Sequence, residues 1–439
     1  MLLAAAPGLA EHGDMQTSHA DPKVDQTRGT PTISRVEGDT IIELVYDAER
    51  RMTGLAVARF GGLWNIEQEV RLGTGEVLVP YSLTNTLIAG GSVLFASQPE
   101  HHGNKAELLA DVEAYLSRYV DLSATFLRIA AHYVLLSWVY DAFNELPYLR
   151  FQGDYGTGKT RALLAIGLIS YKPFFASGAS TVSPIFHILD TFGGTLILDE
   201  ADFRFSDVTS ELVKILNNGN MAGLPVLRTM QNRFRELNPR AFRVFGPKII
   251  AMRGGYDDEG LESRFLSENM NGRQMRADIP IHTPPEMRTE ALALRNRLLH
   301  FRLTTLFGTR IDPSLMEPAL EPRLNQIALP LLSVVDDSSV RAGIVARLTE
   351  QSESSLGVRR KKVASTIIAV LHDVFSDETV PSASVQVIAQ RVNEELDNAG
   401  LSIKEVARVM RRQFGIRIHK SAGVHVVSRS EFLAINVSK

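Results

Sequence analysis

At 439 residues, with 44% hydrophobic and 22% charged residues, the chain is long enough for two or three domains and has the composition of a globular protein, not a disordered or fibrous one. The absence of cysteine rules out disulfides and cysteine-ligated zinc and leaves the redox compartment open. A net charge of −3 hides an imbalance, because the segment from Ser402 to Lys439 carries eight Lys and Arg against two acids.

The first ten residues are apolar but lack a basic leader and are broken by Pro7-Gly8. They read as a tail rather than a signal peptide, and residues 1–31 together read as disordered. In 32–100, short β-branched and aromatic runs at 40–46, 55–60, 77–79 and 92–95 alternate with turn residues such as Glu37-Gly38-Asp39, which predicts a small β-rich module. It holds no catalytic constellation, so recognition or packing between domains is its expected role. Residues 104–145 read as a helical linker of two helices, 105–119 and 123–143, with Asp121 or Ser123 as the cap between them. The second is the most apolar stretch of the chain. Arg128, His132 and Asp141 within it argue for a buried helix rather than a membrane span, and the expected location is cytoplasmic, without a membrane partner.

Next comes Gly153-Asp154-Tyr155-Gly156-Thr157-Gly158-Lys159-Thr160, a complete G-x-x-x-x-G-K-T, set between the apolar run 148–152 and an aliphatic helical segment. Small residues let the backbone wrap a phosphate chain and converge its N–H groups on it. In that arrangement Lys159 reaches the β- and γ-phosphates and the Thr160 hydroxyl ligates Mg²⁺. Hydrolysis needs a second element, and Thr195-Leu196-Ile197-Leu198-Asp199-Glu200 fits it. Asp199 is the expected metal-side carboxylate and Glu200 the catalytic base; the bland alternative is a strand running into an acidic helix cap. Asp202 reads as a solvated helix-start carboxylate.

Apolar runs at 148–152, 172–177, 195–199, 248–252 and 265–270, separated by helical segments, predict a parallel sheet with helices on both faces for 146–283. The run at 172–177 is expected to supply the extra strand between the loop strand and the acidic strand. Between Gly219 and Lys248 stand six basic residues and one acid, among them Arg228 and Arg233. Such a run is commonly a solvated face, but in a ring ATPase it forms a hairpin whose charge meets a nucleic-acid backbone. Arg264, at the end of a short helix before the last core strand, is placed to reach a neighbouring subunit's γ-phosphate; a salt bridge to Glu262 is the alternative. Residues 284–350 read as a helical lid in which Arg288, Arg295 or Arg297 could sense phosphate, and 351–357 as a polar flexible linker.

The remainder, 358–439, reads as three amphipathic helices and a hairpin, a winged helix. Its third helix buries Ile403, Val406, Met410 and Phe414 and presents Lys404, Arg408 and Arg411, joined by Arg412 and by Lys420 at the hairpin tip, as DNA contacts.

Several of these phrases, PYLRFQGDYGTGKT, TLILDEAD, FGPKIIAMRG, LESRF and EPRLNQIALPLL, resemble P-loop ATPases of phages, plasmids and integrated elements. Those are described as DNA replication or primase-helicase-like proteins and are similar to AAA+ and superfamily III helicase cores. The resemblance spans roughly 105–335 and, more loosely, both ends. It implies an α/β P-loop NTPase core with ATP and Mg²⁺ as cofactors. It further implies an ATP-driven DNA translocase or helicase that assembles as a hexameric ring on single-stranded or forked DNA; an ATP-switched DNA-binding or loading factor without unwinding is the alternative. One departure is local: Ala251-Met252-Arg253 stands where relatives carry an Asn or Thr sensor, which leaves Arg253 as the stand-in. The β-rich start lacks a polymerase-type acidic cluster and does not support primase activity.

Overall fold

A computed structural model describes residues 29–59, 62–177, 181–199, 207–231, 237–256, 258–272, 275–396, 400–421 and 423–436. The chain opens with seven strands: β1 (Thr30–Thr32), β2 (Ser34–Glu37), β3 (Thr40–Asp47), β4 (Met52–Arg59), β5 (Trp64–Glu67), β6 (Val70–Arg71) and β7 (Val77–Pro80). Strands β2 to β5 form an antiparallel meander, and β1 pairs in parallel with β7. The tail expected to reach residue 31 therefore ends earlier, because Thr30–Thr32 find a strand partner; residues 1–28 lie outside the described residues. A four-residue helix α1 (Thr86–Ala89) follows. The strand expected at 92–95 is reduced to a single bridge between Val93 and Phe174.

β3 is buried on both faces. Ile41 and Val45 join one apolar core with the helices that follow, whereas Ile42 and Leu44 join a second core with residues of the central sheet. Between them sits Glu43, 1% exposed, which accepts hydrogen bonds from Ser34 Oγ (2.6 Å), Tyr171 Oη (2.8 Å) and Arg302 Nε (2.7 Å) and pairs with Lys172 Nζ at 2.9 Å. Arg302, fully buried, also grips Asp141 with two hydrogen bonds of 2.7 Å and donates to the Trp138 carbonyl. Burial alone would raise the Glu43 pKa, but Lys172 and Arg302 outweigh it and hold the carboxyl at about 2. The β-rich start is thus fastened to the rest of the chain by buried charge as well as by apolar contact.

Helices α2 (Lys105–Tyr119) and α3 (Ala124–Trp138) are capped by Asn104, through a capping box with Glu107, and by Ser123. A short 3₁₀ turn, Tyr140–Ala142, ends the segment expected to be one helix to 143. The central layer then runs β8 (Tyr148–Gln152), α4 (Lys159–Ile169), β9 (Phe174–Ser177), α5 (Val182–Phe192), β10 (Leu196–Asp199) and α6 (Asp207–Asn218). An antiparallel hairpin, β11 (Val226–Gln231) and β12 (Leu237–Phe242), leads to β13 (Lys248–Met252), the short α7 (Glu259–Glu262) and β14 (Phe265–Asn269). The five core strands are all parallel, in the order β14-β8-β13-β10-β9. The strand that separates the loop strand β8 from the acidic strand β10 is therefore β13; β9 is inserted between them in sequence but lies at the sheet edge. Both neighbours of β8 come later in the chain, which makes its carboxyl end a topological switch point.

Neither margin of this sheet is bare. Leu94 N donates to the Pro173 carbonyl beside β9. Along β14, the Gln351 side chain accepts from Ser267 N (3.2 Å) and donates to the Phe265 carbonyl (2.7 Å), and Arg347 donates to the Ser267 carbonyl. Both residues belong to α10 (Ser338–Val374), which follows α8 (Glu286–Thr305) and α9 (Pro322–Val334). The linker expected at 351–357 is accordingly the middle of a 37-residue helix. The run contains no proline, and Gln351 finds backbone partners that a free linker would lack.

The C-terminal elements are β15 (Ser382–Ser384), α11 (Val385–Glu395), α12 (Ile403–Phe414), β16 (His419–Ser421), β17 (Val424–Ser428) and α13 (Arg429–Asn436), with β17 at the centre of a three-stranded antiparallel sheet. They enclose a separate apolar core with the end of α10, in which Ile367, Leu371, Ile388, Val406, Met410 and Val427 are buried. Ile403, expected in that stripe, is 45% exposed and lies outside this core, at the first position of α12.

Candidate nucleotide site

The loop from Gly153 to Gly158 lies at the carboxyl end of β8, where the sheet order reverses. Gly158, at φ +90°, is the residue before α4 and makes no side-chain cap, so the first N–H groups of α4 face the loop. Gly153 admits no side chain: a Cβ would stand 2.8 Å from Thr157 Oγ1 and 2.9 Å from Asn271 Oδ1. The Thr157 hydroxyl donates to the Asp154 carbonyl, and Asp154 N donates to Asn271 Oδ1 at 2.7 Å. Lys159 folds back over the loop, its ammonium donating to the Gly153 and Asp154 carbonyls at 2.6 Å each. Thr160 Oγ1 donates to Asp199 Oδ2 at 2.8 Å. A hydroxyl and a carboxylate already within hydrogen-bond distance at a helix N-terminus are the hard oxygen donors that suit Mg²⁺, which takes one or two protein ligands and fills its sphere with water and phosphate. The residues present therefore fit a nucleotide–Mg²⁺ pair: backbone N–H groups and Lys159 for phosphate, Thr160 and Asp199 for the metal. Glu200, Asp202 and Arg233 lie outside the described residues.

Two neighbours complete the loop's surroundings, Asn271, which no motif announces, and Arg253, expected as the sensor stand-in. Asn271, just past β14, buttresses Asp154. Arg253, at the carboxyl end of β13, lays its guanidinium 3.7 Å from the centre of the Tyr155 ring and donates to the Tyr155 hydroxyl. The register of β13 with β8, Met252 beside Gln152, places Arg253 next to Gly153.

Arg264 sits at the other end of the sheet. Its carbonyl accepts from Tyr148 N at the start of β8, so a five-residue strand, roughly 16 Å, separates it from its own loop. It does not pair with Glu262, which instead takes Arg150 Nη1 at 2.5 Å and the Tyr256 N–H. Arg264 Nε donates to Asn220 Oδ1 (2.9 Å), and Nη1 donates to Asn217 Oδ1 (2.6 Å) and the Gly260 carbonyl. Neutral amides aim this guanidinium without neutralising it. Asn217 and Asn220 lie at the end of α6 and carry no sequence signature for that role.

The hairpin cations are more committed than their spacing suggests. Arg228 pairs with Glu211 at 3.0 Å and stacks on Phe186, while Arg240 and Arg243 both engage Asp190. Arg228, expected to contact DNA, is thereby folded back on α5 and α6. The hairpin's root is tied by Lys248, fully buried, whose Nζ donates to the carbonyls of Gly219, Val244 and Gly246; burial pulls its pKa down to about 7. Of the arginines considered as sensors, Arg295 is buried and donates to the Leu168 carbonyl at the far end of α4, and Arg297 pairs with Asp111, so neither points at the loop. In contrast, Lys404, Arg408, Arg411, Arg412 and Lys420 are all exposed. A cleft of about 830 Å³ lined by Ile33, Tyr140, Phe192 and Phe245 lies at the amino edge of the sheet, away from the loop.

No family model matches the chain, and no curated protein does. Solved structures do. The chain is similar to the NrS-1 C-terminal region, at 14% identity over 88% of this chain and 96% of that one, with a TM-score of 0.33. It is similar to the active helicase SCCmec type IV Cch at 14% identity, 92% and 96% coverage and a TM-score of 0.40. JCV helicase matches at 15% identity over 57% of this chain and 61% of its own, with a TM-score of 0.24. Among the described residues, no helix is long and apolar enough to cross a membrane.

Proposed function

We propose that the chain is an ATP-hydrolysing DNA translocase or helicase that works as a ring, hexameric by its resemblance, with each site shared between two subunits. The observation that carries this reading is the Thr160–Asp199 contact of 2.8 Å, which brings the phosphate loop and the acidic strand to one point at the switch of the sheet. There Lys159 and the α4 N-terminus hold the phosphates, Thr160 and Asp199 hold Mg²⁺, and Glu200 orients the attacking water. Arg264 is too far from its own loop to act there and serves the neighbour's. In this reading the chain is divided into a β-rich start at 32–100, helices at 104–145, an ATPase core at 146–283, the helices of 284–350 and a winged helix from 358, whose α12 lies against DNA.

The test of the shared site is a mixing experiment. Arg264→Ala should lower turnover about 10³-fold, and adding Lys159→Ala subunits should restore part of it, since each supplies what the other lacks. No recovery at any ratio would exclude the trans arrangement.

DNA contact is tested separately. Replacing Lys404, Arg408 and Arg411 together by Ala should weaken binding of single-stranded and forked DNA and lower the slope of log K against log salt by about 2 to 3. An unchanged salt slope would remove α12 from the interface.

A second reading, an ATP-switched loading factor that does not unwind, is favoured by one observation. Arg228, Arg240 and Arg243 of the hairpin are tied to acids, whereas the C-terminal cations are exposed. Strand separation of a forked duplex decides between the two.

A further inference from the structure

Arg323 lies in the first turn of α9 and is exposed at the corner where Arg264 stands between α7 and β14. A Cβ on Gly260 would stand 3.3 Å from both Nη1 and Nη2 of Arg323, so this guanidinium lies over the backbone of the turn whose carbonyl Arg264 also grips. Two positive groups thus share one corner. Asp258 is the nearby acid, but its carboxylate is taken up by Asn217 Nδ2 and the N–H groups of Gly260 and Leu261. Among the described residues neither arginine forms an ion pair, and Arg264 Nη2 has no hydrogen-bond partner. The Arg264 charge is disfavoured first by burial and next by Arg323. Asp258 offsets part of this paired positive charge, and the remainder is relieved by an incoming anion.

We infer that Arg323 and Arg264 form a two-pronged clamp on the terminal phosphate of the nucleotide bound by the adjacent subunit. This rests on the reading of Arg264 as a residue acting in trans, and adds a second catalytic arginine from a different element. Attack by water forms the new P–O bond as the bridging P–O bond breaks, leaving ADP, phosphate and one proton. Charge on the equatorial oxygens rises along that path, and two planar guanidinium groups approaching from α7 and α9 meet more of it than one can.

The experiment is steady-state ATP hydrolysis by full-length variants and their mixtures. Arg323→Ala should lower kcat about 10²-fold with KM for ATP changed less than about threefold, and Arg323→Lys should keep part of the rate. Mixing Arg323→Ala with Lys159→Ala subunits should recover activity, whereas mixing it with Arg264→Ala should not, because both then lack the same half of the site. The reverse pattern, recovery with Arg264→Ala and none with Lys159→Ala, places Arg323 in its own subunit's site and overturns the clamp. An Arg323→Ala protein of undiminished turnover does the same. Failure of Arg264→Ala to recover with Lys159→Ala overturns the underlying trans reading, and is read from a separate mixture. Should Arg323→Ala fold poorly, Arg323→Gln carries the same comparison.

Discussion

Lys159→Ala should abolish ATP turnover, by about 10³-fold or more, while leaving the fold nearly untouched. The lysine donates to two carbonyls of its own loop, Gly153 and Asp154, and is only partly buried, so its removal opens no cavity and strands no buried charge. What is lost is the one cation placed to follow charge onto the γ-phosphate. The measurement is phosphate release at saturating ATP beside a thermal melt. A rate within tenfold of the parent's would sink the nucleotide site, and a melt lowered as far as that of the next variant would mean the effect was structural.

That next variant is Glu43→Gln, expected to cost about 3–5 kcal/mol of stability, since it breaks a buried ion pair from one side. Lys172, 4% exposed in its side chain, would lose its carboxylate partner, while Arg302 would keep Asp141 and the Trp138 carbonyl. Chemical denaturation of the full chain, compared with the exposed control Glu37→Gln, reads the difference; equal shifts for the two would refute a buried charge hub. The pH dependence has a definite sign. Lys172 and Arg302 hold the folded carboxyl at about 2, below the 4.5 of an ordinary glutamate, so its contribution is complete above about 4.5 and is lost as pH falls through 2. The gap between parent and variant should therefore be constant near neutrality and narrow below pH 4.5.

Contiguous chemistry was legible in the sequence and distant chemistry was not. The loop, the acidic strand tip and the five core strands announce themselves in short stretches whose residue types have few other uses. That β13 lies beside β8 depends on how the chain crosses the sheet, which no local pattern encodes. Glu43 and Arg302 are 259 residues apart and each looks like surface charge in its own neighbourhood. The same blindness works in the opposite direction at Arg228, Arg240 and Arg243, where a basic run suggested a nucleic-acid face until Glu211 and Asp190 came into contact with it. At 351–357 composition was a poor guide, since the run continues a helix that Gln351 fastens to β14.

Gln351 has a wider effect than holding one helix in place. Its amide occupies the hydrogen-bonding positions on β14 that a sixth strand would use, and the segment around Val93 does the like at β9. A sixth strand from another copy is thereby kept off β14, the margin that Gln351 and Arg347 cover. Contact between copies along that margin is then made by side chains, which come apart without unzipping a ladder. Copies joined in that way can exchange while each remains folded.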